Sequence, residues 1–356
     1  MSDTTSPSPG SASEAGGRAF GLRFATDRLA GRIILAVLLS MLCAAGLILL
    51  AGHDPFAAFA AMAAGAVGTP HQIGVALTRT TPYLLAGAGV AMCFRAGVIN
   101  IGAEGQIAIG GIGAAAAALA LPEGMSPLAI VVVLIAAAAA GAGWAAIATA
   151  IHLGRRVHEV LVTLLLNFVA LILVQQLLAG SLGQKGAGFL QSPLMPREVW
   201  LPRFPGLDAH PGFIVAIVAA AALSFVLWRT NFGFAIRVTG SSRPATAYAG
   251  FSLARVTWGV MLLAGALAGL AGGIEVLGIH RRLIEGFSLG FGFKAVTVAL
   301  LGALEPLAII PAALFVGLLE AGSLSMQRQV GVPSALVAVI EGLTMLFVLA
   351  ATVRRT

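Results

Sequence analysis

Charge is what this sequence has least of. Asp, Glu, Lys and Arg make up 10% of its 356 residues, against about 25% in an ordinary soluble domain. That leaves too little polar surface to solvate a globule of this size. A soluble protein is excluded, and an all-α, polytopic membrane protein is expected. Cysteine is nearly absent. Cys43 and Cys93 both lie inside apolar segments, which excludes a disulfide framework and a thiolate metal site. No G-x-x-x-x-G-K-[ST] occurs, so the chain is not expected to cradle a nucleotide triphosphate itself. There is no H-E-x-x-H, the six histidines are scattered, and no nucleophile–base set can be assembled. An enzyme is not expected. GGIGAAAA offers Gly111-x-Gly113 without a third glycine or strand–helix alternation, so it reads as close helix packing.

What is present is apolar residue and glycine. The hydrophobic share is 59% with 45 glycines, and mean hydropathy is +0.98. Small residues let helix backbones approach in a bilayer, where lipid gives no hydrophobic drive for association. Hydropathy predicts about ten spans, near 30–51, 72–93, 103–120, 127–151, 157–180, 212–228, 254–278, 288–303, 306–324 and 334–351. The stretch 288–303 is short and glycine-interrupted, and either crosses fully or stops short. Residues 55–66 are too few to cross and read as an interfacial or re-entrant helix. Residues 1–29, polar and then basic at Arg18, Arg23 and Arg28, read as a disordered cytoplasmic tail ahead of an uncleaved first helix.

An inside N-terminus places Lys185, Arg197, Arg203, Arg281, Arg282 and Arg328 outside and Arg79 and Lys294 within spans. The other thirteen of the 21 basic residues then lie inside. This bias predicts both termini in the cytoplasm and accounts for the net charge of +7 without any nucleic-acid partner. Residues 181–210 become an extracytoplasmic loop, with Trp200 and a run of prolines from Pro193 to Pro211. Residues 229–253 become the longest inside connection, a candidate docking site. Within it Ser242 can cap a helix, Pro244 suits the first turn and Gly250 suits a left-handed C-terminal position. A two-turn helix over Arg243–Ala249 is expected. Alone it would be unstable in water, so it needs a partner, with Tyr248 as the aromatic anchor.

Two glycine-rich turns occupy matching places in the halves. NIGAEGQIAIGGIG follows the second span on the inside, and SLGFGFKAVTVALLG follows the seventh on the outside. This is the pattern of an inverted repeat with a broken helix in each half. Ionisable residues within spans are costly unless they face protein or water. They are Arg79, Glu104, Glu159, Glu275, Lys294, Glu320 and Glu341, joined by the polar Asn167. Each is open to two readings, a structural pair or cap and a place on a solute pathway. Glu104, in the first turn of its helix, complements the positive helix end or faces a cavity.

FRAGVINIGAEGQ, HEVLVTLLLN, GSSRPATAYAG, GFGFKAVTVALLGALEPLAIIPAALFVG and MQRQVGVPSALV together resemble the permease subunit of ABC importers for simple sugars, nucleosides and branched-chain amino acids. The resemblance runs from about residue 30 to 352 and is nearest to nucleoside permeases that work with basic-membrane-lipoprotein receptors. It implies a transmembrane permease domain over 30–352 in the bacterial cytoplasmic (inner) membrane. It also implies pairing with a second permease chain as a heterodimer, an ABC ATPase subunit below and a substrate-binding lipoprotein outside. No cofactor is expected on this chain, since ATP is used by the partner ATPase. The family's inside loop usually reads G-x-N-P-x-A-A-R-Y-A-G. Here Ser242 replaces Asn, Arg243 replaces Pro, Thr246 replaces Ala and Ala247 replaces Arg, while Pro244 is displaced by one. The resemblance assigns ATPase coupling to Arg237, Gly240, Ser242, Arg243, Pro244, Ala245, Tyr248, Ala249 and Gly250. The missing Arg at 247 leaves open which ATPase residue is met. Candidates for the translocation pathway are Asn100, Glu104, Gln106, Asn167 and Lys294, for a nucleoside or related small polar solute. A simple-sugar permease and an ion-coupled secondary transporter are the alternatives.

Overall fold

The computed structural model describes residues 31–352 apart from 33, 123–127 and 289. The expected tail over 1–29 lies outside the described residues. The described chain is helical, with one isolated antiparallel bridge between Gln191 and Ile284. In order, the helices are α1 (Ile34–Leu50), α2 (Pro55–Val67), α3 (Pro70–Arg95), α4 (Ala103–Ala120), α5 (Leu128–Arg155) and α6 (Glu159–Ala179). They continue with α7 (Gly212–Arg229), α8 (Asn231–Ser241), α9 (Arg243–Tyr248), α10 (Leu253–Glu275), α11 (Phe291–Leu301), α12 (Ile309–Val330) and α13 (Ser334–Thr352). A 3-10 turn occupies Arg197–Val199, and a π-turn, Val276–His280, extends α10.

The expected spans appear as helices, but they are not equivalent. Seven described helices are long and apolar enough to cross a membrane: α4, α5, α6, α7, α10 with its π-turn, α12 and α13. The count of ten is therefore reached only by adding α1, α3 and α11. Helix α3 has 26 residues, roughly 39 Å of length. It is polar for a span because Thr78, Arg79, Thr80 and Thr81 interrupt it. Its second half is buried continuously from Thr80 to Cys93, so protein rather than lipid surrounds it. Helix α11 has 11 residues, roughly 17 Å, about half of a hydrocarbon core. The segment 288–303 does not cross as one helix.

The chain divides into two compact units. One includes α1 and α13. On α1 the buried positions Ala36, Ser40, Ala44 and Ile48 recur every four residues, the stripe expected of a helix packed along one face. On α13 the buried positions include Val337, Ile340, Glu341, Thr344, Met345, Val348 and Ala351.

The other unit, Ala57–Gly331, is built on small-residue seams. A Cβ added to Gly110 of α4 would lie 2.3 Å from the Gly269 Cα of α10. One added to Gly141 of α5 would lie 2.3 Å from the Gly265 carbonyl. Backbones this close gain dispersion contacts that larger side chains would prevent. Helix α10 packs on α3, α4 and α5, and α3 packs on α10, α11 and α12. Helix α4 packs on α5 and α11, and α11 on α12. Exchanging α3 with α10, α4 with α11 and α5 with α12 carries every one of these pairs onto another. The packing follows the repeat pattern of the sequence, and the two glycine-rich turns meet at its centre.

The connection 229–253 holds more helix than expected. The short helix is present as α9, but α8 precedes it. Thr230 Oγ1 caps α8 by accepting the Gly233 N–H at 3.1 Å. The helix it starts gains its fixed position from contacts with α3, α7 and α10.

Candidate functional site

The polar residues of the unit Ala57–Gly331 gather in three places. The first is the meeting of the two glycine-rich turns. Glu104, in the first turn of α4, accepts the Gly290 N–H at 3.1 Å with one carboxylate oxygen. Its other oxygen accepts the Gly292 N–H at 2.8 Å. The carboxylate therefore also caps α11, whose N–H groups at that end have no partner within the helix. A charged acceptor there complements the helix dipole as well. The approach needs glycine, because a Cβ on Gly292 would lie 2.0 Å from the Glu104 nitrogen. Gly290 also sits at φ +90, where a side chain would be strained.

Asn167 of α6 supports the same junction. Its amide oxygen accepts the Gly105 N–H at 2.9 Å, and its amide nitrogen donates to the Ile101 carbonyl at 2.9 Å. Asn100 accepts the Gly102 N–H at 2.8 Å and donates to Gln106 at 3.4 Å. Asn100, Glu104, Gln106 and Asn167 are all at most 1% exposed. Four of the five sequence-derived pathway candidates thus lie together, with their polar atoms engaged at the start of two helices.

The fifth, Lys294, lies elsewhere. Its ammonium is 3.5 Å from Glu320 of α12, and Arg79 of α3 is 3.5 Å from the other oxygen of the same carboxylate. The Tyr83 hydroxyl donates to Glu320 as well. Tyr83 stacks edge-on against Phe291 at 5.5 Å between ring centroids. On α10, Glu275 lies 3.6 Å from His280 Nε2. The π-turn explains that pair, since its wider winding places residues five apart over one another.

Arg79 also lines a cavity of about 500 Å³. Val75 and Thr78 of α3, Ile279 of the π-turn, and Ala321, Leu324 and Arg328 of α12 are among its walls. Its size falls within the range of small-molecule sites. The segment before α7 closes one side, where Arg203 pairs with Asp208 and Asp208 lies 3.2 Å from His71. His210, next in that segment, is 2% exposed. Its Nδ1 accepts the Gly212 N–H at 3.2 Å. Burial pushes its pKa down to about 4, with the charge of Arg203 adding to the effect. The connection 181–210 is strapped to the residues after the π-turn. Ser192 N–H donates to the Leu283 carbonyl at 2.8 Å, and Arg281 lies over the Trp200 ring at 4.2 Å.

The third place is the end of α3 at Arg95. Arg95 pairs with Glu305 and donates to the Leu304 carbonyl at 3.2 Å. Glu305 also accepts from Trp228 Nε1 at 3.2 Å, and Arg237 of α8 lies over the Trp228 ring at 4.8 Å. The turn between α11 and α12 carries Ala303 at φ 49 and Leu304 at φ 60, a strained conformation for non-glycine residues. Gly240 brings α8 onto this group, since a Cβ there would lie 1.9 Å from the Arg95 carbonyl oxygen.

Helix α9 follows directly. Ser242 Oγ accepts the Ala245 N–H at 3.3 Å, and Pro244 stands in the first turn. Gly250 closes the segment at φ +78. Thr246 faces inward and hydrogen-bonds Thr239 at 3.3 Å. Arg243, Pro244, Ala245, Tyr248 and Ala249 are exposed, with Tyr248 at 94%.

Sequence reasoning picked out Arg79, Glu275 and Glu320 only as ionisable residues within spans. Their grouping with Lys294, Tyr83 and Thr78 draws on four helices, α3, α10, α11 and α12, and no local spacing signals it. The Arg95–Glu305–Trp228 group was missed for the same reason.

The family described as "Branched-chain amino acid transport system / permease component" matches residues 72–349. A guanosine ABC transporter permease of Bacillus subtilis (strain 168) is 33% identical over 88% of this chain and 91% of its own length. A glucose ABC transporter permease of Haloferax volcanii is 33% identical over 90% of this chain and 87% of its own. A nucleoside ABC transporter permease of Lactococcus lactis subsp. cremoris is 28% identical over 88% and 89% respectively. No solved structure matches the chain.

Proposed function

The chain belongs to the family of branched-chain amino acid transport system permease components, and from that premise we propose that it is the membrane-spanning permease of an ATP-driven ABC importer for nucleosides. The likeness to the guanosine permease over 88% of the chain carries this reading. The likeness to the glucose permease, equal in identity, favours a simple sugar as the second reading.

Mechanically, α9 is the ATPase coupling helix, with Arg243, Pro244 and Tyr248 offered to the partner and Ser242 and Gly250 fixing its ends. Its motion passes through Gly240 and Arg237 of α8 to the end of α3, where Arg95, Glu305 and Trp228 join the α11–α12 turn. Helix α3 also carries Thr78, Arg79 and Tyr83, so one helix links the coupling group to the cavity and its ion cluster. A two-position element of this kind is what transmits a distant closure. The solute enters the cavity between α3 and α12 and meets Arg79, whose carboxylate partner Glu320 also pairs with Lys294. Asn100, Glu104, Gln106 and Asn167 stand on the pathway as positioning residues that hold the two broken helices together. A second, non-identical permease chain completes the membrane domain, and an external lipoprotein receptor delivers the solute. The chain sits in the bacterial inner membrane with both termini in the cytoplasm.

The test is reconstitution of this chain with a second permease, the ATPase and the receptor in proteoliposomes. Guanosine uptake that requires ATP and every partner is expected. Glucose uptake alone would move the assignment to the sugar reading. Uptake by this chain alone under an ion gradient would overturn the importer reading.

A further inference from the structure

The cavity between α3 and α12 carries more positive charge than the protein neutralises. Arg79, Arg203 and Arg328 are among its walls, and Asp208 is the acid beside them. Asp208 pairs with Arg203 but also lies 3.2 Å from His71. Glu320, outside the lining, is 3.5 Å from Arg79 and 3.5 Å from Lys294. Each of these carboxylates is thus shared between two bases. No carboxylate among the described residues pairs with Arg328, which is exposed in the last turn of α12. Glu275 faces His280 at 3.6 Å. Even with Glu275 counted, Arg79, Arg203, Lys294 and Arg328 stand against Asp208, Glu275 and Glu320, four positive charges to three negative. A concave wall with a surplus of one sign focuses its field and draws in counter-ions.

The other walls limit what can carry the opposite charge. Val75, Ile279, Ala321 and Leu324 present apolar surface, which suits an organic ring better than a hydrated inorganic ion. The Thr78 hydroxyl is buried in the same wall without a hydrogen-bond partner among the described residues, a donor left for an incoming acceptor. A guanidinium is a planar fork that matches a carboxylate and stacks on flat rings. The volume of about 500 Å³ leaves room for one such ring. We propose that this cavity is a binding site for a small planar monoanion, an aromatic or heterocyclic ring bearing one carboxylate, with the acid group toward Arg328 and the ring against the apolar wall. The site goes beyond the importer reading, because its charge and walls define the ligand whether or not that ligand is carried onward.

Saturation-transfer NMR on the permease–ATPase complex in nanodiscs, without receptor, reads weak ligand contacts directly, with empty nanodiscs as the blank. Orotate and uracil share a ring and differ by the carboxylate. Benzoate and benzamide match in shape and differ by the charge. Orotate, read at the ring proton it shares with uracil, and benzoate should show transfer. Their neutral counterparts should show roughly tenfold less, since hydrogen bonds to an ionised acceptor are the stronger kind. Acetate, which has the charge without the ring, should not displace orotate at the same concentration. Arg328→Gln should bring orotate down to the level of uracil, and Arg328→Lys, which keeps the charge, should retain most of the preference. Arg328 is exposed, so neither variant disturbs a packed residue. Equal transfer to charged and neutral rings in the wild type, an orotate preference unchanged in Arg328→Gln, or displacement of orotate by acetate would overturn the proposal. No transfer to any ring would overturn it too. Loss of receptor docking in Arg328→Gln alongside that result would give the cavity to an acidic side chain of the receptor instead. ATP-driven guanosine uptake by the full transporter is measured apart from these contacts, and its absence would strike the importer reading alone.

Discussion

Glu104 accepts two backbone N–H groups from residues 186 and 188 positions away in the chain. Glu104→Gln keeps the size and one acceptor but turns an amide N–H₂ toward a backbone donor. A hydrogen bond to a charged group contributes about 1.5–3 kcal/mol. The melting temperature of the purified protein in detergent should fall by a corresponding amount, and Glu104→Ala should fall further. An unchanged melt for both would deny the cap. His210 gives a pH signature. Its folded pKa of about 4 lies below the unfolded value near 6.5. Between those values the unfolded chain binds a proton that the folded chain does not. Stability is therefore full above about pH 6.5 and falls as pH drops toward 4, by on the order of 3 kcal/mol. Thermal melts at pH 7.5 and 5 should show the loss, and His210→Gln should flatten it. The sequence identified Glu104 as charge in an apolar setting, but gave no sign of the helix end it meets. His210 carried no signal, because a buried imidazole and a surface one read alike.

At the scale of elements, α9 was legible because its signals are local. Ser242, Pro244 and Gly250 set its ends through side-chain and backbone preferences that act within a few residues. Helix α8 and the short α11 were not legible in extent. Both are fixed by neighbours, α8 through the close approach of Gly240 to the Arg95 carbonyl and α11 through the Glu104 cap. On the coupling reading, Tyr248→Asp places a charge on the exposed face of α9 without disturbing its inward residue, Thr246. Receptor-stimulated ATPase activity of the assembled transporter should be abolished while receptor binding persists. Transport at the wild-type rate would remove α9 from the coupling role.

For the molecule as a whole, the basic-residue bias sets an orientation that labelling can check. In a background carrying Cys43→Ala, Tyr248→Cys should react with an impermeant maleimide only after the cytoplasmic face is opened. Lys185→Cys should react in intact cells. The reverse pattern would invert the topology and with it the assignment of α9 to an ATPase. The exchange of α3–α5 with α10–α12 gives this orientation its mechanical sense. It places the two glycine-rich turns at one junction and leaves the cavity against α3 and α12.

The sequence by itself determined that the chain is helical and membrane-embedded, where most of its long apolar helices begin and end to within a few residues, and how α9 is capped. These follow from composition and from forces between residues close in the chain. Only the tertiary structure decided what the intramembrane charges do. It committed Asn100, Glu104, Gln106 and Asn167 to a helix junction, and it joined Arg79, Glu320 and Lys294 beside a cavity. In an apolar interior a charge must find a partner, and that partner can come from any helix. The choice depends on which backbones small residues allow to touch, which is a property of the packed structure rather than of any stretch of sequence.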